Sequence, residues 1–239
     1  MDAEIHSVES LAALDGEGLR YAVFFRGCPL RCAFCHNPDT WAVGGDGVKT
    51  GAEDLCRKIS RYKPYFGEKG GVTFSGGEPL LSAEFICKAG ELLREMGIGY
   101  ALDTSGAVPL TDAVKEAIAG ADLVILDVKF PDAARYRQYT GGDFDRFLRF
   151  AAYLSDTGTR VWYRTVIVPE INDSEAAIDG YISLISRWRK PEKYELLAFH
   201  TMGFYKYDRL GLENPLKNTP PLDGDRLKTL QGYLDGKMK

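Results

Sequence analysis

Hydrophobic and polar positions along this chain repeat in order: a short β-branched or aromatic run, then a longer charge-decorated stretch of helical period. The runs Tyr21–Phe25, Gly71–Phe74, Gly99–Leu102, Leu123–Leu126, Val161–Val168 and Tyr194–Ala198 predict six strands. Helices are expected near 50–62, 82–96, 111–119, 143–156, 174–188 and 224–235. Ser82 and Thr111, each followed by an acid in the first turn, are expected to cap two of them.

Six alternating units imply a parallel sheet with right-handed crossovers and helices outside. A doubly wound sheet and a barrel both satisfy that pattern, so the polar residues must separate them. They follow strand after strand: Arg26-Gly-Cys28, Ser75-Gly-Gly-Glu78, Asp103-Thr-Ser-Gly106 and Asp127-Val-Lys129. Arg164 lies within the fifth strand and His200 follows the sixth. Polar groups at the C-terminal ends of many strands converge on one mouth in a barrel. Six units are fewer than the eight of a closed barrel, so the expectation is a partial, splayed (β/α)6 barrel. No Pro, Gly or Ser linker divides the chain, which predicts a single domain over residues 1–239.

Composition narrows the partners. With 239 residues, 45% of them hydrophobic, the chain can bury a large core without disulfides. A formal net charge of -4 and scattered Lys and Arg give no electrostatic footprint for nucleic acid. Acids at the N-terminus and the shortness of every apolar run point away from a signal peptide or a membrane span, so a cytoplasmic location is expected. In a reducing compartment cysteines serve as ligands, catalytic groups or buried thiols more often than as disulfides.

Three of the five cysteines stand within eight residues, as Cys28-Pro-Leu-Arg-Cys32-Ala-Phe-Cys35. Three thiolates on one short loop can hold three irons of a cuboidal cluster and leave the fourth open. The alternative is a zinc site with His36 as the fourth ligand, although zinc ligands usually come as two separated pairs. Cys56 and Cys87 stand singly in helical segments.

The spacing, with Phe34 before the last cysteine, resembles the signature of the radical S-adenosylmethionine (SAM) superfamily. The wider runs Asp15–Arg20, Phe25–Trp41, Gly71–Pro79, Asp103–Gly106, Leu126–Lys129 and Phe199–Gly203 are similar to the glycyl-radical-enzyme activating enzymes, nearest the branch that serves pyruvate formate-lyase. The resemblance covers nearly the whole chain. It implies a [4Fe–4S] cluster on Cys28, Cys32 and Cys35, with SAM bound at the open iron. It also implies a glycyl radical enzyme, expected to be pyruvate formate-lyase, as partner, and flavodoxin or ferredoxin as electron donor. An activase of another glycyl radical enzyme, such as anaerobic ribonucleotide reductase, is the nearer alternative; a non-catalytic iron–sulfur or zinc protein is the more distant one.

The same resemblance assigns cofactor contacts to Phe34, Cys35, His36, Gly76, Gly77, Glu78, Asp103, Asp127, Val128, Lys129 and His200. Paired glycines suit close backbone approach, and a carboxylate with backbone carbonyls suits an ammonium group. Oxygens of Asp103, Thr104 and Asp127 are expected to meet above the barrel around a cation, which the resemblance makes monovalent. Asp15, Gly16, His36 and Arg164 are assigned to the substrate peptide. Family members carry proline where Glu17 stands, so Glu17 is expected to bear on partner identity. His6 is expected to be structural.

Overall fold

The structure is a computed structural model that describes residues 1–43 and 47–239. Its strands are β1 (Asp2–Ala12), β2 (Arg20–Phe25), β3 (Val48–Gly51), β4 (Gly71–Gly76), β5 (Tyr100–Thr104), β6 (Leu123–Asp127), β7 (Arg160–Ile167) and β8 (Lys193–Ala198). The helices are α1 (Ala52–Ser60), α2 (Lys63–Phe66), α3 (Ala83–Glu95), α4 (Asp112–Gly120) and α5 (Ala133–Thr140), then α6 (Phe144–Asp156), α7 (Glu175–Ile185), α8 (Phe204–Leu210) and α9 (Gly224–Lys237). All strands join one sheet in the order β3-β1-β2-β4-β5-β6-β7-β8. The six from β2 to β8 are parallel neighbours, and β1 runs antiparallel to both β2 and β3. β3 and β8 remain edges, so the barrel is partial and open, as the sequence predicts.

Parity along the parallel strands decides what each residue does, because successive side chains point to opposite faces. One parity, including Val72, Phe74, Tyr100, Leu102, Val124, Leu126, Tyr163 and Leu196, is buried in the main apolar core with the helices. Phe74 is fully buried, and its truncation to Ala would cost about 3–5 kcal/mol. The other parity lines the barrel interior. At its lower level Ala101, Leu123 and Ile125 form a small separate cluster with Trp162. One step up, Ser75, Asp103, Asp127, Arg164, Val166 and Leu197 face a cavity.

All six predicted strands are present, as are the six predicted helices. β1, β3, α2, α5 and α8 were not predicted. β1 pairs with β2 through two register irregularities, which break the alternation that would have revealed it. α5 buries only Tyr136 and Thr140, too few positions to show a helical period. Thr111 caps α4 through Val114 N at 3.3 Å, as expected. Ser82 occupies the corresponding position of α3 without a capping bond. The chain enters that helix through a 3-10 turn, Pro79–Ser82, which is capped by Glu78 instead.

Candidate active site

The cysteine loop follows β2 and is tied down along its length. Its entry is fixed by bonds from Gly27 N to Thr40 O at 2.7 Å and from Cys28 N to Trp41 O at 3.2 Å. Arg31 N and Ala33 N donate to Thr140 O and Tyr139 O at the end of α5. Cys28, Cys32 and Cys35 all line one cavity of about 290 Å³, at the C-terminal ends of the strands, together with Phe34, His36, Gly76 and Gly77. Larger surface hollows, about 820 Å³ beside α9 and about 720 Å³ at the opposite end of the strands, contain no cysteine. Size is a poor guide here; the chemistry lies in the smaller cavity.

All three cysteines are free thiols. Burial pushes Cys28 up to about 11 and Cys32 to about 12, and raises Cys35 as well. Opposing that, Leu30 N–H faces the Cys28 sulfur, while Asn37 N–H and the Trp41 indole N–H face that of Cys35. Buried thiols that already carry N–H donors suit thiolate ligands of a metal group, whose ligands are held by such outer bonds. Among the described residues no three His, Cys, Asp or Glu side chains gather as around a single ion. Thiolates on three different irons need no such gathering, so the donor set fits a cluster.

Behind the cysteines stands a charged group. Lys129 Nζ donates to Asp127 Oδ2 at 2.5 Å and lies 5.8 Å from the centre of the Phe34 ring. Burial opposes its charge, but Asp127 and Cys32 outweigh it and hold the ammonium above its usual value. Asp103 accepts from Ser75 Oγ at 2.8 Å. Burial and then the Asp127 charge push Asp103 up to about 6, against Arg164 and Ser75. Arg164 donates to Glu195 at 3.1 Å and to Leu14 O at 2.5 Å.

His36 donates from Nε2 to His200 O at 2.7 Å, which fixes its tautomer. The two imidazoles stack with centroids 3.6 Å apart and planes 6° apart. Burial lowers both below the usual histidine value, so both are neutral at pH 7. His36 lines the cavity; His200 backs it and leaves a buried Nδ1 without a partner among the described residues. His6, by contrast, pairs with Asp39 at 3.1 Å and is structural.

Several expected residues stand elsewhere. Glu78 is fully buried and outside the cavity lining. Its Oε1 accepts from Thr104 Oγ1 at 2.7 Å and Leu80 N at 3.2 Å; its Oε2 accepts from Ser105 N at 2.9 Å and Ser105 Oγ at 2.5 Å. With those bonds made, the carboxylate has no capacity left for an ammonium ligand. Thr104 is therefore turned away from Asp103 and Asp127, as strand parity requires, and the three side chains do not converge. The Val128 side chain is likewise in the outer core, with its N donating to Arg164 O at 2.8 Å.

Gly76 and Gly77 serve the cysteine loop directly. Gly76 has φ +108, and a Cβ on Gly77 would fall 2.2 Å from Gly27 O. Gly77 N and Glu78 N donate to Phe25 O and Gly27 O. The glycines let the turn after β4 lie flat against the backbone that carries Cys28.

The loop before β2 runs across the barrel. Asp15 lines the cavity, its carbonyl accepting from Thr73 Oγ1 at 2.6 Å, and burial raises its carboxyl despite Arg164. Gly16, at φ +136, lies outside the lining. Glu17 points to the opposite end of the strands, pairing with Lys69 at 2.9 Å and Arg160 at 3.1 Å. Ser75, Ser105, Trp41 and Leu197 line the site but were not singled out from sequence. Ser75 and Ser105 follow strands inside the quoted motifs, and inward parity was the signal that could have found them.

Three thiols on one loop, facing one cavity at the C-terminal mouth of an open parallel barrel, define a radical SAM enzyme. The chain belongs to that class: the family model described as Radical SAM superfamily matches residues 22–179. It belongs further to the pyruvate formate-lyase-activating enzyme family. The enzyme of that name from Clostridium pasteurianum is 43% identical over 231 residues, 96% of this chain and 96% of its own. That of Staphylococcus epidermidis is 37% identical over 241 residues, covering 98% and 96%. Membership implies a [4Fe–4S] cluster and SAM. Two solved structures share the fold. Streptococcus suis SuiB bound to S-adenosylmethionine has a TM-score of 0.67 at 18% identity, over 88% of this chain and 45% of that one. A domain of pyruvate-formate lyase-activating enzyme from Bacteroides vulgatus has a TM-score of 0.57 at 21% identity, over 70% and 94%.

Proposed function

We propose that the chain, acting as a single cytoplasmic domain, activates a glycyl radical enzyme, pyruvate formate-lyase, with flavodoxin or ferredoxin as electron donor. The observation that carries this reading is the cavity shared by Cys28, Cys32 and Cys35 with the turn after β4 and the charged ends of β5 to β7. When bound, the cluster and SAM supply one-electron cleavage of a carbon–sulfur bond and, through the radical so formed, removal of hydrogen from a glycine Cα in the partner.

The protein binds, orients and excludes water. Cys28, Cys32 and Cys35 would hold the cluster by their thiolates, and the cavity they line would receive the amino acid end of SAM. Carbonyls of the Gly76–Gly77 turn suit its ammonium group, and Lys129 suits its carboxylate. Phe34, His36 and His200 supply flat neutral surfaces for the adenosine. The carboxylates of Asp103 and Asp127, on neighbouring strands, suit a monovalent cation, while the Thr104 hydroxyl is spent on Glu78. Asp15 and Arg164 face the glycine-bearing peptide from the cavity floor. No acid–base side chain is required for hydrogen-atom transfer.

Anaerobic reconstitution tests the reading. The protein should bind iron and sulfide, form 5′-deoxyadenosine with dithionite and SAM, and raise a glycyl radical signal on pyruvate formate-lyase. A colourless zinc protein that cleaves no SAM would overturn it. Cleavage without a radical on that partner would move the function to another glycyl radical enzyme.

A further inference from the structure

Lys129, the cation assigned to the carboxylate of SAM, lies just past the point where the sheet stops guiding the chain. Pairing of β6 with β7 ends at Asp127 beside Arg164, and Val128 N then bonds Arg164 O at 2.8 Å. Beyond that point two hydroxyls hold the backbone. Thr165 Oγ1 donates to Val128 O at 2.7 Å, and Tyr181 Oη donates to Lys129 O at 3.0 Å. Tyr181 stands in α7 and is fully buried in the main apolar core. Burial raises its phenol above the usual tyrosine value, so it remains a donor. Asn172 Nδ2 holds the same hydroxyl from behind, donating to it at 2.9 Å.

Asn172 is 2% exposed, and its whole amide is engaged. Nδ2 also donates to Val166 O at 2.9 Å, and Oδ1 accepts from Val168 N at 2.7 Å, which fixes the orientation of the group. The turn it fastens contains Glu170 at φ +65, a left-handed value that a non-glycine residue keeps only when its surroundings over-determine it. A chain of hydrogen bonds therefore runs from the end of β7, through Asn172 and Tyr181, to the peptide that carries Lys129. On the far side of that peptide the ammonium faces the cavity and Asp127.

We propose that Tyr181, held by Asn172, is a positioning residue that sets where the Lys129 ammonium meets the carboxylate of SAM, an inference that rests on the assignment of Lys129 above. Lysine is a point charge on a flexible four-carbon stem, so its placement depends on where its backbone is anchored. A charged group held by a second layer of hydrogen bonds binds more tightly than one left to wander. Tyr181 and Asn172 do not line the cavity, so they act on a bound molecule only through the residues they hold.

The test uses the full-length chain, reconstituted anaerobically and titrated with SAM without reductant, together with amide hydrogen exchange over residues 127–131. Tyr181→Phe deletes the hydroxyl and keeps the ring. It should hold full iron, weaken SAM binding about three- to tenfold, as the net loss of one hydrogen bond implies, and speed exchange in that segment. Its affinity for 5′-methylthioadenosine, which has no carboxylate, should equal that of the wild type. Tyr100→Phe controls for lost stability alone. Tyr100 is also buried, with its hydroxyl donating to Ala117 O at 2.7 Å and no part in the cavity, and this variant should bind both molecules normally. Unchanged SAM affinity or unchanged exchange in Tyr181→Phe overturns the proposal, and so does an equal loss for both molecules. Should Tyr181→Phe fail to fold, Asn172→Ser decides by the same pair of titrations: a loss for SAM alone supports the proposal, and no loss or an equal loss overturns it. A Lys129→Met variant that binds SAM like the wild type removes the assignment beneath the proposal, a failure seen without touching Tyr181.

Discussion

The two ends of this barrel are both rich in charge, yet they handle it in opposite ways. At the N-terminal ends of the strands, Glu17 bonds Lys69 and Arg160, and Arg160 also bonds Glu192 at 2.8 Å. Every one of these charges has an opposite partner near water, and the two glutamates are held below their usual values by those bonds. At the C-terminal ends, three thiols, three carboxylates, a lysine and an arginine share one small cavity. Burial there pushes Asp103 and the cysteines up, towards their neutral forms. Paired surface charge settles a structure modestly. Buried groups with displaced proton affinities are a cost to folding that a bound group can relieve, and they mark the working end.

The sharpest way to break this comparison is to remove one cysteine from each setting. Cys32→Ala should abolish iron uptake and 5′-deoxyadenosine formation, whereas Cys56→Ala, in α1 within the apolar core, should retain both. Equal losses measured by iron content and product chromatography would erase the distinction. Next in size is Glu78, an acid that is buried and yet structural, its carboxyl raised above the usual value by burial. Glu78→Ala leaves the donors of Leu80, Thr104 and Ser105 without an acceptor and should cost about 3–5 kcal/mol in urea unfolding. A stability change near zero would mean that Glu78 is not the anchor its bonds describe.

Thr104→Val removes one of those donors and should cost about 1–2 kcal/mol, with no change in any dependence of SAM binding on sodium or potassium. A lost cation dependence would return Thr104 to the site. The smallest effect belongs to the far end. Glu17→Ala should destabilise by at most about 1 kcal/mol, and the difference should shrink in high salt. Because the folded values of Glu17 and Glu192 are lowered, their contribution is present above the unfolded glutamate value. It is lost as pH falls through the folded values. Unfolding curves of wild type and Glu17→Ala should therefore converge in acid. A change in partner activation with stability unaltered would instead tie Glu17 to recognition.

Much of this was legible in the chain. Val161–Val168 and Leu123–Leu126 could only be interior strands, and the three cysteines could only be a loop after the first parallel strand. Glu17 was misjudged because neighbours in sequence were taken as neighbours in the site. Asp15 and Glu17 are two residues apart, and the turn between them sends one into the cavity and the other to Lys69. Thr104 and Val128 were misjudged because a motif names consecutive residues while a strand presents only alternate ones to a given face. The antiparallel strand β1 escaped because its bulges interrupt the period.

The sequence by itself determined the elements of the sheet, the thiol loop and the order in which polar residues reach the mouth. These follow from local periodicity and from the chemistry of residue types. Tertiary structure alone decided which of two adjacent side chains faces the cavity. It also spent Glu78 on Leu80 of its own turn and on Thr104 and Ser105 of the turn after β5. Those outcomes depend on strand parity and on contacts between segments far apart in the chain, such as Cys35 with Tyr207 and Glu78 with Ser105.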